Sequence, residues 1–199
     1  MKIGIIGAGA MGCIYGMYLS AKNEVLLVDV VKAHVDAINE KGLSFTHLDG
    51  VTKNYKIKAT MDTTGCEPAE LVILLTKGYQ SAQALEANSS LIGPETLVLS
   101  LQNGYGNADE IVKYVLLGTS GGGAIVAGPG DIRHKGQGPT HIGSLSGDHD
   151  KARLVVKLMQ DCGVPDVVFE ENVKALVWSK VFVNIGINAI CALIGDTNQ

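Results

Sequence analysis

Lys180, Asn184 and Asn188 stand four residues apart in a stretch otherwise built from Val, Ile, Ala, Phe and Leu. In a helix, steps of four keep side chains on nearly one face, drifting about 40° each time. An ammonium and two amides in a row on an apolar helix are costly unless something polar meets them. A solvated stripe would favour Glu and Lys over asparagines, which are poorer helix formers. The row is therefore expected to face a ligand. A second set of residues lies at the other end of the chain, where Gly7, Gly9 and Gly12 follow the apolar run Lys2–Ile6 at G-x-G-x-x-G spacing. In a strand–turn–helix setting Gly7 permits the tight turn, Gly9 lets backbone approach a pyrophosphate, and Gly12 lets helix and strand pack closely. The helix N-terminus then presents N–H groups and a positive dipole end to phosphate.

Two further candidates follow apolar strand-like runs. Lys77 comes just after Leu71–Thr76, and Asn103 belongs to the loop Leu101–Gly104 after Thr96–Ser100. In open α/β sheets ligands bind beyond the carboxyl ends of strands, where both residues would stand. The five histidines (His34, His47, His134, His141, His149) show no metal-ligand spacing and are expected on the surface or in loops. No G-x-S-x-G run or Cys/His pair points to a nucleophile.

These residues need elements to hold them. Cys13–Ser20 continues as a helix, and a second strand ends in Asp29, completing a βαβ unit. Val31–Lys41 has helical spacing and stops at Gly42. Leu43–Leu48 and Tyr55–Ala59 read as strands around the Asp49-Gly50 turn. Leu71–Thr76 and Thr96–Ser100 suit parallel strands covered on both faces. Helices are expected at Gln80–Ser89, Asn107–Tyr114, Asp150–Cys162 and Glu171–Ile194. Short strands are expected at Ala124–Ala127, Pro139–Ile142 and Asp166–Phe169. The alternation predicts an α/β fold, a Rossmann-type, mainly parallel sheet with helices on both faces. The expected division is a dinucleotide-binding domain over residues 1–170 and a long apolar helix within 171–199.

Composition narrows the setting. The 199 residues are 46% apolar, ample for a core, with a net charge of −4 that offers no basic field to nucleic acid or an anionic membrane. Four scattered cysteines suit reduced thiols in a cytosolic protein and give no metal spacing. Met1 leads directly into a strand with glycines where a signal core would sit, so no secretory signal is expected. Val181–Ile194 is too short to span a bilayer and holds Asn184 and Asn188. A soluble cytoplasmic protein is expected.

Five motifs in order resemble the ketopantoate reductase (2-dehydropantoate 2-reductase) family: GAGAMG at Gly7–Gly12, LTKGYQ at Leu75–Gln80, LQNG at Leu101–Gly104, GDIRHKGQGPTHIG at Gly130–Gly143 and WSKVFVNIGINAICAL at Trp178–Leu193. The resemblance implies NAD(P)H-dependent reduction of a 2-keto acid, ketopantoate, to a 2-hydroxy acid in pantothenate biosynthesis. Gly7, Ala8, Gly9, Ala10, Met11, Gly12, Lys77, Asn103 and Ala127 would line the cofactor site. Lys180 would be the general acid beside the keto oxygen, with Asn103, Asn184, Asn188 and Asn198 holding substrate. Asp29 stands where NADPH-using members often place an arginine. An acid there accepts hydrogen bonds from ribose hydroxyls and repels a 2′-phosphate, which predicts NADH over NADPH. Lys32 lies close enough to complicate that preference. The other readings are an NAD-dependent D-2-hydroxyacid dehydrogenase acting on mandelate-like acids and a non-catalytic dinucleotide-binding module. By that resemblance, residues 171–199 would be the first helix of an all-α substrate and dimerisation domain, which in the family continues further and supplies a glutamate and much of the dimer interface. The 199-residue chain is therefore expected to bind dinucleotide with little turnover and to self-associate through its apolar last helix.

Overall fold

The computed structural model describes residues 1–104 and 115–195. The expected helix at Asn107–Tyr114 and the candidate Asn198 lie outside the described residues. The opening unit runs β1 (Lys2–Ile6), α1 (Ala10–Leu19), β2 (Glu24–Val28) and α2 (Lys32–Lys41), with Gly42 closing α2. Then come β3 (Leu43–Thr46), β4 (Thr52–Tyr55), β5 (Lys58–Thr60), β6 (Leu71–Leu74), α3 (Ser81–Ala87) and β7 (Leu97–Ser100). The chain continues with β8 (Val115–Ser120), β9 (Gly123–Gly128), β10 (Asp131–Gly136), β11 (Thr140–Ser144), α4 (His149–Asp161), β12 (Val167–Phe169) and α5 (Val173–Ile194).

Eight strands form the main sheet in the order β12-β11-β8-β7-β6-β1-β2-β5. From β5 to β8 all neighbours are parallel, and this stretch is the 3-2-1-4-5-6 order of a Rossmann sheet, with its switch point between β1 and β6. β11 runs antiparallel to β8. The parallel strands alternate between two cores. Ile3, Ile5, Leu71, Ile73 and Leu99 pack under α1, α2 and α4, whereas Ile6, Val72, Leu74 and Val98 pack under α3 and the start of α5. Each such fully buried Ile or Leu contributes about 1.5–3 kcal/mol, so both faces are specified by the same uninterrupted apolar runs.

A second sheet of four strands, β4-β3-β10-β9, packs against α1 and adds Phe45 and Ile132 to the first core. The single strand expected at Tyr55–Ala59 is divided between the two sheets. Thr52–Tyr55 pairs back on β3 through the Asp49-Gly50 turn, and Lys58–Thr60 takes the parallel place beside β2. Two strands were not foreseen. β8 has only a three-residue apolar run before Gly-Thr-Ser, and β10 turns a single residue, Ile132, fully into the core.

α5 is longer than the apolar stretch used to judge it. Its 22 residues are, by length and composition alone, enough to cross a bilayer, which the shorter Val181–Ile194 stretch is not. The first turns are packed on the sheet through Val173 and Val177, and Asn172 caps the helix by accepting from the Ala175 N–H. Later turns stand in solvent, with Phe182 67% and Leu193 86% exposed.

The start of α1 packs tightly against the turn that follows β1. A Cβ at Gly12 would strike the Gly7 carbonyl. Gly12→Ala is therefore expected to cost about 1–3 kcal/mol by overpacking, measured by urea denaturation, with a concurrent loss of dinucleotide binding. Unchanged stability would contradict this packing.

Candidate active site

Gly7 turns the chain at the carboxyl end of β1 with φ of +99°, and a Cβ there would lie 2.7 Å from the Thr76 nitrogen. The turn is thus pressed against the end of β6, one residue before Lys77. Gly9 is the N-cap of α1, with no side chain capping the helix and open space where its Cβ would be. The first N–H groups of a helix have no partner inside it. An uncapped, unobstructed helix start at a switch point has the geometry to accept a phosphate through the backbone N–H groups of its first residues.

Beside this turn a cleft of about 260 Å³ is lined by Ala8, Gly9, Asp29, Val31, His34, Val126, Gly128 and Pro129. Asp29 directly follows β2 and lines the cleft, and its Oδ1 accepts from the Val31 N–H at 3.0 Å. Lys32 is drawn to Asp36 at 2.6 Å on the exposed side of α2. Ala127 is on β9 with its neighbours Val126 and Gly128, which line the cleft; Ala127 itself is not a lining residue.

His34 corrects the expectation of surface or loop histidines. It is 5% exposed, with Nε2 at 2.9 Å from the Ala8 carbonyl and Nδ1 accepting from the Gly130 N–H at 3.0 Å. The Ala8 carbonyl also accepts from the Cys13 thiol, whose pKa is pushed up to about 12 by burial and, secondarily, by Asp29. No sequence pattern marked His34, because its partners are backbone groups remote along the chain.

Lys77 is exposed at the carboxyl end of β6, and Asn103 is exposed in the loop after β7. Gln102 joins these two ends. It is 8% exposed and its Nε2 donates to the Thr76 carbonyl at 2.8 Å and to Ser81 Oγ at 2.9 Å. Its Oε1 accepts from the hydroxyls of Ser81 and Ser100, each at 3.2 Å. Gln102 was not singled out in the motif, where Asn103 was the candidate ligand-binding residue at the strand's carboxyl end.

Lys180 reaches back from α5 to the same edge. Its Nζ donates to the Ser120 carbonyl, at the carboxyl end of β8, at 2.8 Å. Burial lowers its pKa from the ordinary lysine value. Below Ser120, the Tyr15 hydroxyl lies 2.9 Å from Thr140 Oγ1, and burial raises the pKa of that phenol. A Cβ on Gly122 would be 3.6 Å from Met11 Cε and 3.7 Å from Ser120 Oγ, so the lysine's anchor adjoins the first turn of α1. Asn184 follows half-buried on the face of α5 that carries Lys180, while Asn188, one turn further, is exposed. From β2 to β8 there are four inter-strand steps, about 19 Å at ~4.8 Å each. Asp29 and Lys180 therefore stand at opposite ends of one edge, with the glycine turn between them. Among the described residues no three His, Cys, Asp or Glu side chains converge as a metal site requires.

A family model described as ketopantoate reductase PanE/ApbA matches residues 3–147. A 2-dehydropantoate 2-reductase of Streptococcus pyogenes is 34% identical over 99% of this chain and 66% of its own length. One from Pyrococcus abyssi is 34% identical over 100% of this chain and likewise 66% of its own length. Among solved structures, D-mandelate dehydrogenase with NADH and anilino(oxo)acetate superimposes with a TM-score of 0.90 at 30% identity, covering 98% of this chain and 65% of that one. A PanE/ApbA family ketopantoate reductase from Ralstonia eutropha JMP134 gives 0.86 at 32% identity, over 98% and 65%. The chain thus spans just under two thirds of the length of these relatives. With the fingerprint, the strand order and the matched residues in agreement, the chain belongs to the ketopantoate reductase PanE/ApbA family.

Proposed function

We propose that this protein carries out NAD(P)H-dependent reduction of 2-dehydropantoate to D-pantoate, with Lys180 as general acid. The observation that carries the proposal is the anchoring of Lys180 Nζ on the Ser120 carbonyl, at the same sheet edge as the glycine fingerprint. When bound, the reduced nicotinamide supplies a hydride to the keto carbon. Gly7–Gly12, Asp29, Lys77 and Asn103 would hold the cofactor, with Ala127 alongside. An ammonium has three N–H donors; one goes to Ser120, which aims the others toward the keto oxygen. As charge builds on that oxygen, Lys180 stabilises it and releases its proton to it. The lowered pKa brings the lysine closer to the operating pH, where a general acid transfers its proton most readily. Asn184 and Asn188, with Asn198 and Asn103, would orient the substrate's polar groups. Residues 1–170 would then serve the cofactor, and 171–199 the substrate.

NADH is the preferred donor in this reading. Asp29 accepts from ribose hydroxyls and opposes a 2′-phosphate, and Lys32 is engaged by Asp36. A second reading has its own support. The relative with a TM-score of 0.90 is a D-mandelate dehydrogenase with NADH, so an aromatic 2-keto acid is the alternative substrate. We further take the protein as cytoplasmic and the exposed apolar face of α5 as a self-association surface. A monodisperse monomer in light scattering would contradict the latter.

Three outcomes are expected. Lys180→Ala should lower kcat/KM for the keto acid about 10²–10⁴-fold while NADH affinity stays within about threefold; turnover retained in the variant would remove the lysine's role. In the pH profile, reduction requires the ammonium, so its rate should fall as pH rises through a value below the usual lysine pKa, and hydroxy-acid oxidation should rise over the same range. A reduction rate flat up to the ordinary lysine value would contradict the assignment. Titration calorimetry should find NADH bound at least about tenfold tighter than NADPH, a difference of about 1.4 kcal/mol, with Asp29→Ala narrowing the gap. Tighter NADPH binding would overturn the preference, and a panel of keto acids decides between the two substrates.

A further inference from the structure

His34 is a buried, fully hydrogen-bonded side chain that the reaction itself does not use. Its two nitrogens bind different walls of the Asp29 cleft. Nε2 meets the Ala8 carbonyl of the glycine turn at 2.9 Å, and Nδ1 meets the Gly130 N–H at 3.0 Å, between β9 and β10. Because an amide N–H donates to Nδ1, that nitrogen carries no proton and Nε2–H donates to Ala8. Gly130 is held from its other side too, its carbonyl accepting from the Ser44 N–H at 2.8 Å. Gly128 and Pro129, just before it, line the cleft together with Ala8 and Gly9. The imidazole is therefore a strut between the phosphate turn and the loop from the second sheet.

We infer that His34 is a positioning residue that sets the width of this cleft, pre-forming it for the ADP-ribose half of a dinucleotide. The inference rests on the dinucleotide reading above. Loss of the imidazole leaves the Ala8 carbonyl without its ring donor and the Gly130 N–H unpaired, which frees the two walls to move apart.

The test is calorimetric titration of the 199-residue chain with ADP-ribose. His34→Ala should weaken binding about tenfold or more. His34→Gln, which keeps one donor and one acceptor, should recover most of that loss. Val35→Ala, a cavity in the same helix away from the cleft, should lower thermal stability but leave ADP-ribose affinity within about twofold. Unchanged affinity in His34→Ala, or an equal loss in Val35→Ala, would overturn the inference. Where His34→Ala does not fold, ¹⁵N spectra of the wild type carry the test. The Gly130 amide and the His34 ring nitrogens should shift when ADP-ribose is added, and signals that stay put would overturn it. A wild type that binds no ADP-ribose at all would instead remove the dinucleotide reading, and this inference with it.

Discussion

The contact on which the rest depends is the approach of α1 to the end of β1, where the Gly7 carbonyl occupies the space a side chain at position 12 would need. That approach fixes the helix start, uncapped by any side chain, directly over the switch point. It also places Gly7 against the Thr76 backbone, so the loops after β1 and β6 are set relative to one another by steric fit. Gln102 extends the same control to β7 through hydrogen bonds that leave Thr76, Ser81 and Ser100 satisfied. The loops after β1, β6 and β7 are consequently tied to one another at this sheet edge.

Lys180 illustrates how a polar group is tolerated on an apolar helix. Its charge is partly desolvated, and the Ser120 carbonyl compensates one of its three donors. The residual imbalance lowers the lysine's pKa, a penalty to the folded state while the ammonium is charged and a chemical advantage where a proton must leave. Beyond this point α5 keeps its apolar composition with little of it buried. One helix thus joins the core of the sheet at its start to a solvent-facing apolar surface at its end.

Much of this was legible in the chain. Periodicity placed β1, α1, β2, α2, β6 and β7 within a few residues, and the glycine spacing located the phosphate turn, because these signals are local. The Lys180–Asn184–Asn188 row was visible because polar residues in a run of Val and Ile violate the expected pattern. What escaped was non-local or compositionally weak. The second sheet depends on β10, whose one fully buried residue gives no periodic signal. His34 and Gln102 bond to backbone groups up to 96 and 26 residues away, distances at which spacing carries no information. The helix was legible over Glu171–Ile194, but its capacity to cross a bilayer was judged on Val181–Ile194 alone, although the apolar helix already begins at Val173.

In the proposed function one ligand lies along this edge, from Asp29 across the glycine turn to Lys180. The most direct measurement is a crystal structure of the protein with NADH bound. It should place pyrophosphate oxygens about 3 Å from the N–H groups at the start of α1, ribose hydroxyls on Asp29, and the nicotinamide on the Lys180 side of β1. A pyrophosphate away from Gly9–Met11, or a nicotinamide on the Asp29 side, would contradict it.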